Sequence, residues 1–249
     1  MNNPLEFIAV VLAAGRGKRI QATVINKTAM KLAGKPMIGY TLGLLKKVGV
    51  KKIIIVVGFA KDSIINYFGK NDFIWAIQKK QLGTAHAVKT AFSKIPAHIK
   101  NVLVIQGDDS AFYVPEIIKN LIKKHQQNGA ALTFLTVKVK KPTLGRILRD
   151  VKGNLNGIVE VKNATPKQLK IKEINTGCYC FKRSFLGKYL NKVKKNPISQ
   201  EYYLPDLIKI GLSAGEKIKA RKIPGHYFQG VNTPEELKAV DLLMRQKLN

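Results

Sequence analysis

The chain of 249 residues is 45% hydrophobic and carries 44 Lys and Arg against 15 Asp and Glu, a formal net charge of +29. This length accommodates one α/β domain with a substantial core. The opening segment has no basic stretch before its apolar residues, and no later window approaches the roughly 20 apolar residues that span a bilayer, so we predict a cytoplasmic protein without a membrane span.

The positive charge has two interpretations. A strong positive field attracts polyanions without sequence preference, which makes a nucleic-acid-binding protein one hypothesis. Nucleic-acid surfaces usually gather their basic residues on one element with interleaved aromatics. Here the lysines are spread along the chain as pairs, at 46–47, 51–52, 79–80 and 123–124. The spread favours a dispersed, solvated surface whose attraction for polyanions is nonspecific.

The cysteines and histidines predict no zinc site. Cys178 and Cys180 are two residues apart, so on a strand both point to the same face, too close along the strand for an ordinary disulfide. We predict that both are reduced and buried. The four histidines have no metal-ligand spacing with them.

The first half of the chain alternates apolar runs with amphipathic stretches, the pattern of a parallel sheet covered by helices on both faces. We predict strands over 7–13, 52–58, 73–77 and 102–106, and helices over 36–48, 62–68, 84–92 and 115–127. This order predicts an α/β fold with a Rossmann-like, doubly wound, mostly parallel sheet.

The second half of the chain has a different pattern of predicted elements. Strand-like segments at 131–138, 145–149, 157–161 and 174–182 are separated by turn residues, which predicts antiparallel strands and an inserted hairpin layer in a mixed sheet. A helix over 200–211, a strand over 217–223 and a helix over 234–247 follow. Without a repeat or a flexible linker, we predict a single domain over 1–249 with a substrate-binding second half.

Ligands of open α/β sheets bind outside the carboxyl ends of the strands. After the first strand comes a turn with Gly15 and Gly17, where the backbone can approach phosphate oxygens, followed by Arg19. The glycine pair also occurs in plain tight turns, and it is not the dinucleotide fingerprint, because the third glycine is missing. Asp108 directly follows the strand 102–106, so its carboxylate should face the cleft, whereas Asp109 could cap the next segment.

A series of motifs in this order resembles one family. The motifs are Leu-Ala-Ala-Gly-x-Gly at 12–17 with Arg19 and Lys27, Leu-Ala-Gly-Lys-Pro-Met at 32–37, and further matches at 75–78, 81–87, 107–108, 145–147, 157–160, 173–177, 200–204 and 230–233. Together they resemble the sugar-1-phosphate nucleotidyltransferases, in particular the uridylyltransferase domain of bacterial N-acetylglucosamine-1-phosphate uridylyltransferase. The resemblance covers nearly the whole chain, and it implies a nucleotide-binding half (1–127), a sugar-binding half (128–233) and a C-terminal helix (234–249).

The resemblance implies an Mg²⁺-dependent enzyme that joins UTP to N-acetylglucosamine 1-phosphate and releases pyrophosphate, as a monomer or small homo-oligomer. It implies catalytic roles for Arg19 and Lys27 and metal ligands at Asp108 and Asn232. The remaining implied residues contact nucleotide (Leu12, Ala13, Ala14, Gly15, Gln78, Gly83, Thr84) or sugar (Gly145, Glu160, Asn175). A sugar phosphate is already an anionic nucleophile, so no catalytic histidine is needed. We therefore expect His86 to be a helix packing residue or a loop residue.

Four positions depart from the family pattern: Lys18 replaces Thr, Asn26 replaces Pro before the active-site lysine, Gln106 replaces an apolar residue, and Pro205 replaces Thr. The bifunctional members of this family continue into a β-helix domain that acetylates glucosamine 1-phosphate.

The given sequence stops after the helix near residue 243, so we expect no acetyltransferase activity and no trimer built by that β-helix.

Two alternatives stay open. The first keeps the fold but uses glucose 1-phosphate or another sugar, or dTTP or CTP. The second is a catalytically silent, basic relative that binds nucleic acid. The presence of Lys27, Asp108 and Asn232 favours an enzyme.

Overall fold

The computed structural model describes residues 7–140 and 142–248, apart from the side chain of Lys18. Its strands are β1 (Phe7–Ala13), β2 (Lys31–Leu32), β3 (Lys35–Pro36), β4 (Lys52–Val57), β5 (Ile74–Ile77), β6 (Asn101–Gln106), β7 (Leu132–Lys138), β8 (Arg146–Arg149), β9 (Leu155–Val159), β10 (Glu173–Lys182) and β11 (Ile218–Ile223). Its helices are α1 (Met37–Val48), α2 (Asp62–Phe68), α3 (Thr84–Phe92), α4 (Pro115–Gln127), α5 (Pro166–Leu169), α6 (Arg183–Tyr189), α7 (Asp206–Ser213) and α8 (Pro234–Leu248).

The central sheet has the strand order β11-β7-β10-β6-β1-β4-β5. β1 lies parallel to both β4 and β6, with Val10 opposite Ile54 on one side and Val104 on the other. Within the described ranges, β10 is the one antiparallel strand of this path, and it separates β6 from β7. The predicted mixed, mostly parallel sheet is confirmed.

The buried strands show why the strands of the first half could be predicted from the sequence. Every residue of β1 is buried, and alternate side chains enter two core clusters: Ile8, Val10 and Leu12 pack on one face, while Ala9 and Val11 pack on the other. A strand covered on both faces has no polar face to solvate, so it appears in the sequence as a continuous apolar run. The chain is therefore apolar at every β1 position.

The cysteine prediction is confirmed. Cys178 and Cys180 are free and fully buried in β10, and they share one core cluster. The intervening Tyr179 and the following Phe181 pack in the other cluster. The alternation follows from the period of two along a strand.

The inserted hairpin is smaller than the antiparallel run in the sequence suggested. It consists of β8 and β9, which pair with each other and reach β10 through Arg146 opposite Ile174. β7 and β10 lie in the central sheet, and β11 joins β7 in parallel. β9 also ends at Val159, two residues before the predicted end, and a 3-10 turn over Val161–Asn163 follows.

The predicted helix over 200–211 is wrong in its first half, because α7 begins at Asp206. The preceding segment instead binds the start of α3. Tyr202 N–H donates to Leu82 O (2.8 Å) and Tyr202 O accepts from Ala85 N–H (2.9 Å), while Leu204 N–H donates to Thr84 Oγ1 (2.9 Å). These tertiary bonds satisfy backbone groups that a helix would otherwise satisfy.

The described ranges contain two helices, α5 and α6, that the sequence patterns did not indicate. No helix in the described ranges combines the length and the apolar character needed to cross a membrane. Met1–Glu6 and Asn249 lie outside the described residues, and with them the start of the predicted opening segment and the last residue of the predicted C-terminal helix.

Candidate active site

A cleft of about 720 Å³ opens at the carboxyl ends of the parallel strands. Its walls include residues that follow β1, β5 and β6, as expected for an open α/β sheet. All the predicted site residues except Gly145 and Asn175 line it: Leu12, Ala13, Ala14, Gly15, Arg19, Lys27, Gln78, Gly83, Thr84, Asp108, Glu160 and Asn232. The topology therefore brings together residues from almost the full length of the chain.

The two glycines of the first turn are needed for different reasons. A Cβ added at Gly15 would meet no atom within 4 Å, so Gly15 faces open space in the cleft. Gly17 has φ of +60°, and its added Cβ would lie 2.9 Å from Lys27 Cβ. Gly15 thus leaves room for a ligand, whereas Gly17 leaves room for the lysine that the resemblance makes catalytic.

Lys27 lies at the centre of the charged part of the cleft. Its Nζ forms a salt bridge with Asp108 Oδ2 and donates to Asn232 Oδ1 at 3.3 Å, and its side chain is 13% exposed. Arg19 also donates to Asn232 Oδ1, at 2.9 Å. The loop before α8 carries Asn232 into this group, held by a bond from Asn232 N–H to Glu236 Oε2.

The electrostatics keep this lysine charged. Burial alone lowers the pKa of Lys27, but the negative charges of Asp108 and Asp109 outweigh it, and the net pKa is raised. Burial, reinforced by the neighbouring Asp108, raises the pKa of Asp109 to about 7. An interaction with the Val231 backbone opposes this rise, and Asp109 does not cap the next helix, because Val114 is the N-cap of α4.

The oxygens of Asp108 and Asn232 fit a hard cation. Both contact the same ammonium group, so they converge on a position where a small positive charge is stabilised. Carboxylate and amide oxygens suit Mg²⁺, which usually takes one or two protein ligands and completes its octahedron with phosphate and water. The described residues contain no group of three or more His, Cys, Asp and Glu side chains placed to hold a metal alone. A shared protein and phosphate site matches this donor set.

Gln78 is fixed in one orientation at the side of the cleft next to α3. Its side chain is 3% exposed, and its Nε2 donates to Gly83 O (3.1 Å) and to His86 Nδ1 (2.9 Å). A carbonyl oxygen accepts only, so the amide nitrogen must face it, and His86 Nδ1 must then also accept. Burial lowers the pKa of His86, which favours the neutral imidazole that can accept.

Gly83 has a backbone that few other residues could adopt. Its φ is +100°, and an added Cβ would lie 2.5 Å from Tyr202 O. The contact belongs to the segment that replaces the start of the predicted helix. Gly83 is therefore required by the docking of that segment, besides any contact with a ligand.

A second side of the cleft, the acidic side, carries two carboxylates. Glu160 and Glu201 line it, together with Tyr203 and the basic Lys162. Burial raises the pKa of Glu160 to about 6, the charge of Asp206 adds to the effect, and Arg19 opposes it. A carboxylate held this way can accept hydrogen bonds from hydroxyl groups when it is ionised.

Gly145 and Asn175 support this wall from behind. An added Cβ at Gly145 would lie 3.0 Å from Glu160 Oε1, so the glycine makes room for the carboxylate. Asn175 N–H donates to Gly145 O (3.0 Å), and its side-chain amide donates to Tyr179 Oη. The amide is thus engaged inside the protein and does not line the cleft.

Several cleft residues were missed by reasoning from the sequence. Glu201 and Tyr203 lie in the motif at 200–204, which was assigned to a helix, so the motif itself was the available signal. Arg16 lies in the glycine turn and also lines the cleft. Asn26 was noted as a departure, but its contacts could not be predicted, because they join segments that are distant in sequence.

Comparison with known proteins agrees with this geometry. The family described as "Nucleotidyl transferase" matches this chain over residues 8–237. The chain belongs to the nucleotidyl transferase family. Bifunctional protein GlmU of Bacillus mycoides (strain KBAB4) is 36% identical over 244 residues, which are 97% of this chain and 52% of that protein. Bifunctional protein GlmU of Symbiobacterium thermophilum is 37% identical over 247 residues, 98% of this chain and 52% of that protein.

This nucleotidyl transferase chain thus spans about half the length of the curated relatives it matches. Among solved structures, UDP-glucose pyrophosphorylase complexed with UDP-glucose superposes with a TM-score of 0.79 at 18% sequence identity, covering 96% of this chain and 98% of the other. At that identity the likeness shows the fold.

Proposed function

We propose that this chain transfers the uridylyl group of UTP to N-acetylglucosamine 1-phosphate and releases pyrophosphate. The observation that carries the proposal is the meeting of Lys27, Asp108 and Asn232 beside the glycine turn of β1. Phosphoryl-group transfer needs alignment and neutralisation of charge more than covalent chemistry from the protein. A buried cation and two oxygen donors in one cleft provide both.

The chemistry needs no general base. An anionic phosphate oxygen of the sugar phosphate attacks the α-phosphorus of UTP, and a new P–O bond forms. The bond from the α-phosphorus to the bridging oxygen breaks, and pyrophosphate leaves with the electron pair. Lys27 and Arg19 neutralise the charge that develops on the phosphate oxygens. Asp108 and Asn232 would hold Mg²⁺, which would contribute further charge neutralisation at the phosphates.

The proposal of a uracil base rests on Gln78. Its Nε2 is engaged by Gly83 O and His86 Nδ1, and its Oε1 accepts no hydrogen bond from residues in the described ranges. An acceptor at this position suits the N3–H of uracil, whereas the N3 of cytosine is itself an acceptor. Thymine has the same N3–H, so the contact alone selects UTP or dTTP over CTP.

The proposal of the sugar rests on the resemblance and on the acidic wall. Glu160 is the residue that we propose for direct contact with sugar groups; Gly145 leaves room for its carboxylate, and Asn175 N–H in turn bonds Gly145 O. The relatives named Bifunctional protein GlmU match nearly the whole chain, which supports N-acetylglucosamine 1-phosphate as the acceptor.

The test is a matrix of substrates. UTP, dTTP and CTP are each incubated with Mg²⁺ and with the 1-phosphates of N-acetylglucosamine, glucose and galactose, and pyrophosphate release is measured beside the mass of the product. We expect the highest kcat/KM for UTP with N-acetylglucosamine 1-phosphate, and no turnover with EDTA. A higher kcat/KM for glucose 1-phosphate would replace the sugar in the proposal. No pyrophosphate from any pair would overturn the reaction itself.

A further inference from the structure

Asn26, the residue before Lys27, is completely buried at the edge of the cleft and joins three segments of the chain. Buried polar side chains in proteins are satisfied by hydrogen bonds, and a fully satisfied one fixes its neighbours in place. The contacts of this amide therefore indicate what it holds.

The nitrogen of the amide binds the first two segments. Nδ2 donates to Ala13 O at the end of β1 (2.9 Å) and to Phe59 O in the loop after β4 (2.8 Å), with a longer contact to Gly15 O (3.4 Å). Ala13, the last residue of β1, and Gly15, in the turn after it, both line the cleft where phosphates would bind. One amide group thus connects the glycine turn to the adjacent strand's loop.

The oxygen of the amide binds the third segment. Oδ1 accepts from both Thr28 N–H and Thr28 Oγ1, each at 2.9 Å. Asn26 is the N-cap of the 3-10 turn Lys27–Ala29, so these bonds fix the turn that carries the lysine. Both ends of the amide are used, and flipping it would place oxygen against two carbonyls.

The backbone of Asn26 also takes part. Its φ is −65°, the value that a proline ring imposes, but its N–H donates to Ser63 Oγ at 3.0 Å, which a proline could not do. At this position the chain holds the backbone with hydrogen bonds rather than with a ring.

We propose that Asn26 is a positioning residue for nucleotidyl transfer, whose amide sets the register of the Lys27 turn against the glycine turn. The inference rests on the proposed function for its kinetic effect. Lys27 reaches Asp108 and Asn232 from a turn that is three residues long, so a displaced turn moves Nζ away from the phosphates. A displacement of about 1 Å in a catalytic group can lower the rate by roughly a hundredfold.

The test is a double-mutant cycle between Asn26→Ala and Lys27→Met. Asn26→Ala should lower kcat by about tenfold to a hundredfold, with the KM for the sugar phosphate unchanged. If Asn26 acts through Lys27, the same change in the Lys27→Met background should have little further effect on kcat and on UTP affinity, measured by calorimetry. Additive effects would overturn the inference, because they would mean that Asn26 acts without Lys27.

Two further variants separate positioning from general stability. Thr28→Val keeps the shape and adds no charge but removes the hydroxyl that donates to Asn26 Oδ1; we expect a smaller loss of kcat with the same coupling to Lys27, and it takes the place of Asn26→Ala if that variant does not fold. Leu186→Ala, in the buried face of α6 and outside the cleft, is the matched destabilised control. We expect its kcat to be unchanged at temperatures where it is folded. A proportional loss of kcat in this control would overturn the positioning role.

UTP affinity distinguishes the two proposals. If the wild-type chain releases no pyrophosphate with any substrate pair but Asn26→Ala weakens UTP binding only when Lys27 is present, the positioning role stands and the proposed reaction fails. If the wild-type chain is active and Asn26→Ala changes neither kcat nor UTP affinity, the reaction stands and the positioning role fails.

Discussion

The two sides of the cleft differ in their charged residues, although the chain as a whole is strongly basic. On one side, Arg16, Arg19 and Lys27 surround the glycine turn. On the other, Glu160 and Glu201 line the wall beside Lys162, and the charge of Asp206 acts on Glu160. A net charge of +29 therefore says little about the site. The local arrangement separates a region suited to phosphates from one suited to hydroxyl groups.

The two sides also differ in how they are held. The cationic side sits on turns that follow buried parallel strands, and its centre is anchored by the Asn26 amide and by Asp108. The acidic side sits after the small hairpin β8–β9 and on the irregular segment before α7. If the two sides serve different substrates, a change on one side should affect one substrate only.

The largest effect should come from the centre of the cationic side. We expect Asp108→Asn and Asn232→Ala each to lower Mg²⁺-dependent kcat by roughly a thousandfold, because each removes an oxygen donor at developing charge rather than a core contact. Steady-state rates and calorimetric titration with Mn²⁺ would measure this. Asp72→Asn, an exposed change, is the matched control. A near wild-type rate at saturating Mg²⁺ would remove that residue from the site.

The next effect should sharpen the division between substrates. Losing a charged hydrogen-bond partner costs about 1–3 kcal/mol, so Glu160→Ala should raise the KM for sugar phosphate by roughly tenfold to a hundredfold. Calorimetry with UTP and Mg²⁺ should show an unchanged affinity. An equal loss for both substrates would contradict the assignment of separate nucleotide and sugar sides.

A smaller effect is expected on recognition of the nucleotide base. Gln78→Ala removes the oriented acceptor, so we expect kcat/KM for UTP to fall by about tenfold, the worth of one neutral hydrogen bond. The preference for UTP over CTP should fall with it, while the sugar KM stays the same. If the ratio of the two nucleotides does not change, the amide does not read the base.

The acidic side should reduce stability at high pH. Because the pKa of Glu160 is raised in the folded protein, the folded state holds its proton more tightly than the unfolded state does. Stability from this group is present at low pH and is lost as pH rises through about 6. Glu160→Gln should therefore raise Tm at pH 8 by roughly 2–4 °C and leave it unchanged at pH 4. A lower Tm at pH 8 would mean that the carboxylate is stabilising.

The smallest effect should concern polyanions outside the cleft. Binding to nucleic acid, if measured at low salt, should fall steeply with ionic strength and show no sequence preference, as expected for dispersed charge. Fluorescence anisotropy with two unrelated oligonucleotides at several salt concentrations would test this. Tight, selective binding at physiological salt would favour a nucleic-acid-binding function instead.

The sequence by itself determined most of the strand and helix positions of the first half, because buried parallel strands must be apolar at every position and their helices amphipathic. Through the motifs that carry the family resemblance, it also identified twelve of the residues that line the cleft. The tertiary structure alone decided that residues 200–205 dock on α3, that Asn175 bonds to Tyr179 rather than facing the cleft, and that Asn26 joins three segments. The physical reason is the same in each case. These hydrogen bonds depend on where the folded chain places each polar group. The local periodicity of the sequence does not show which partner a buried amide will bind.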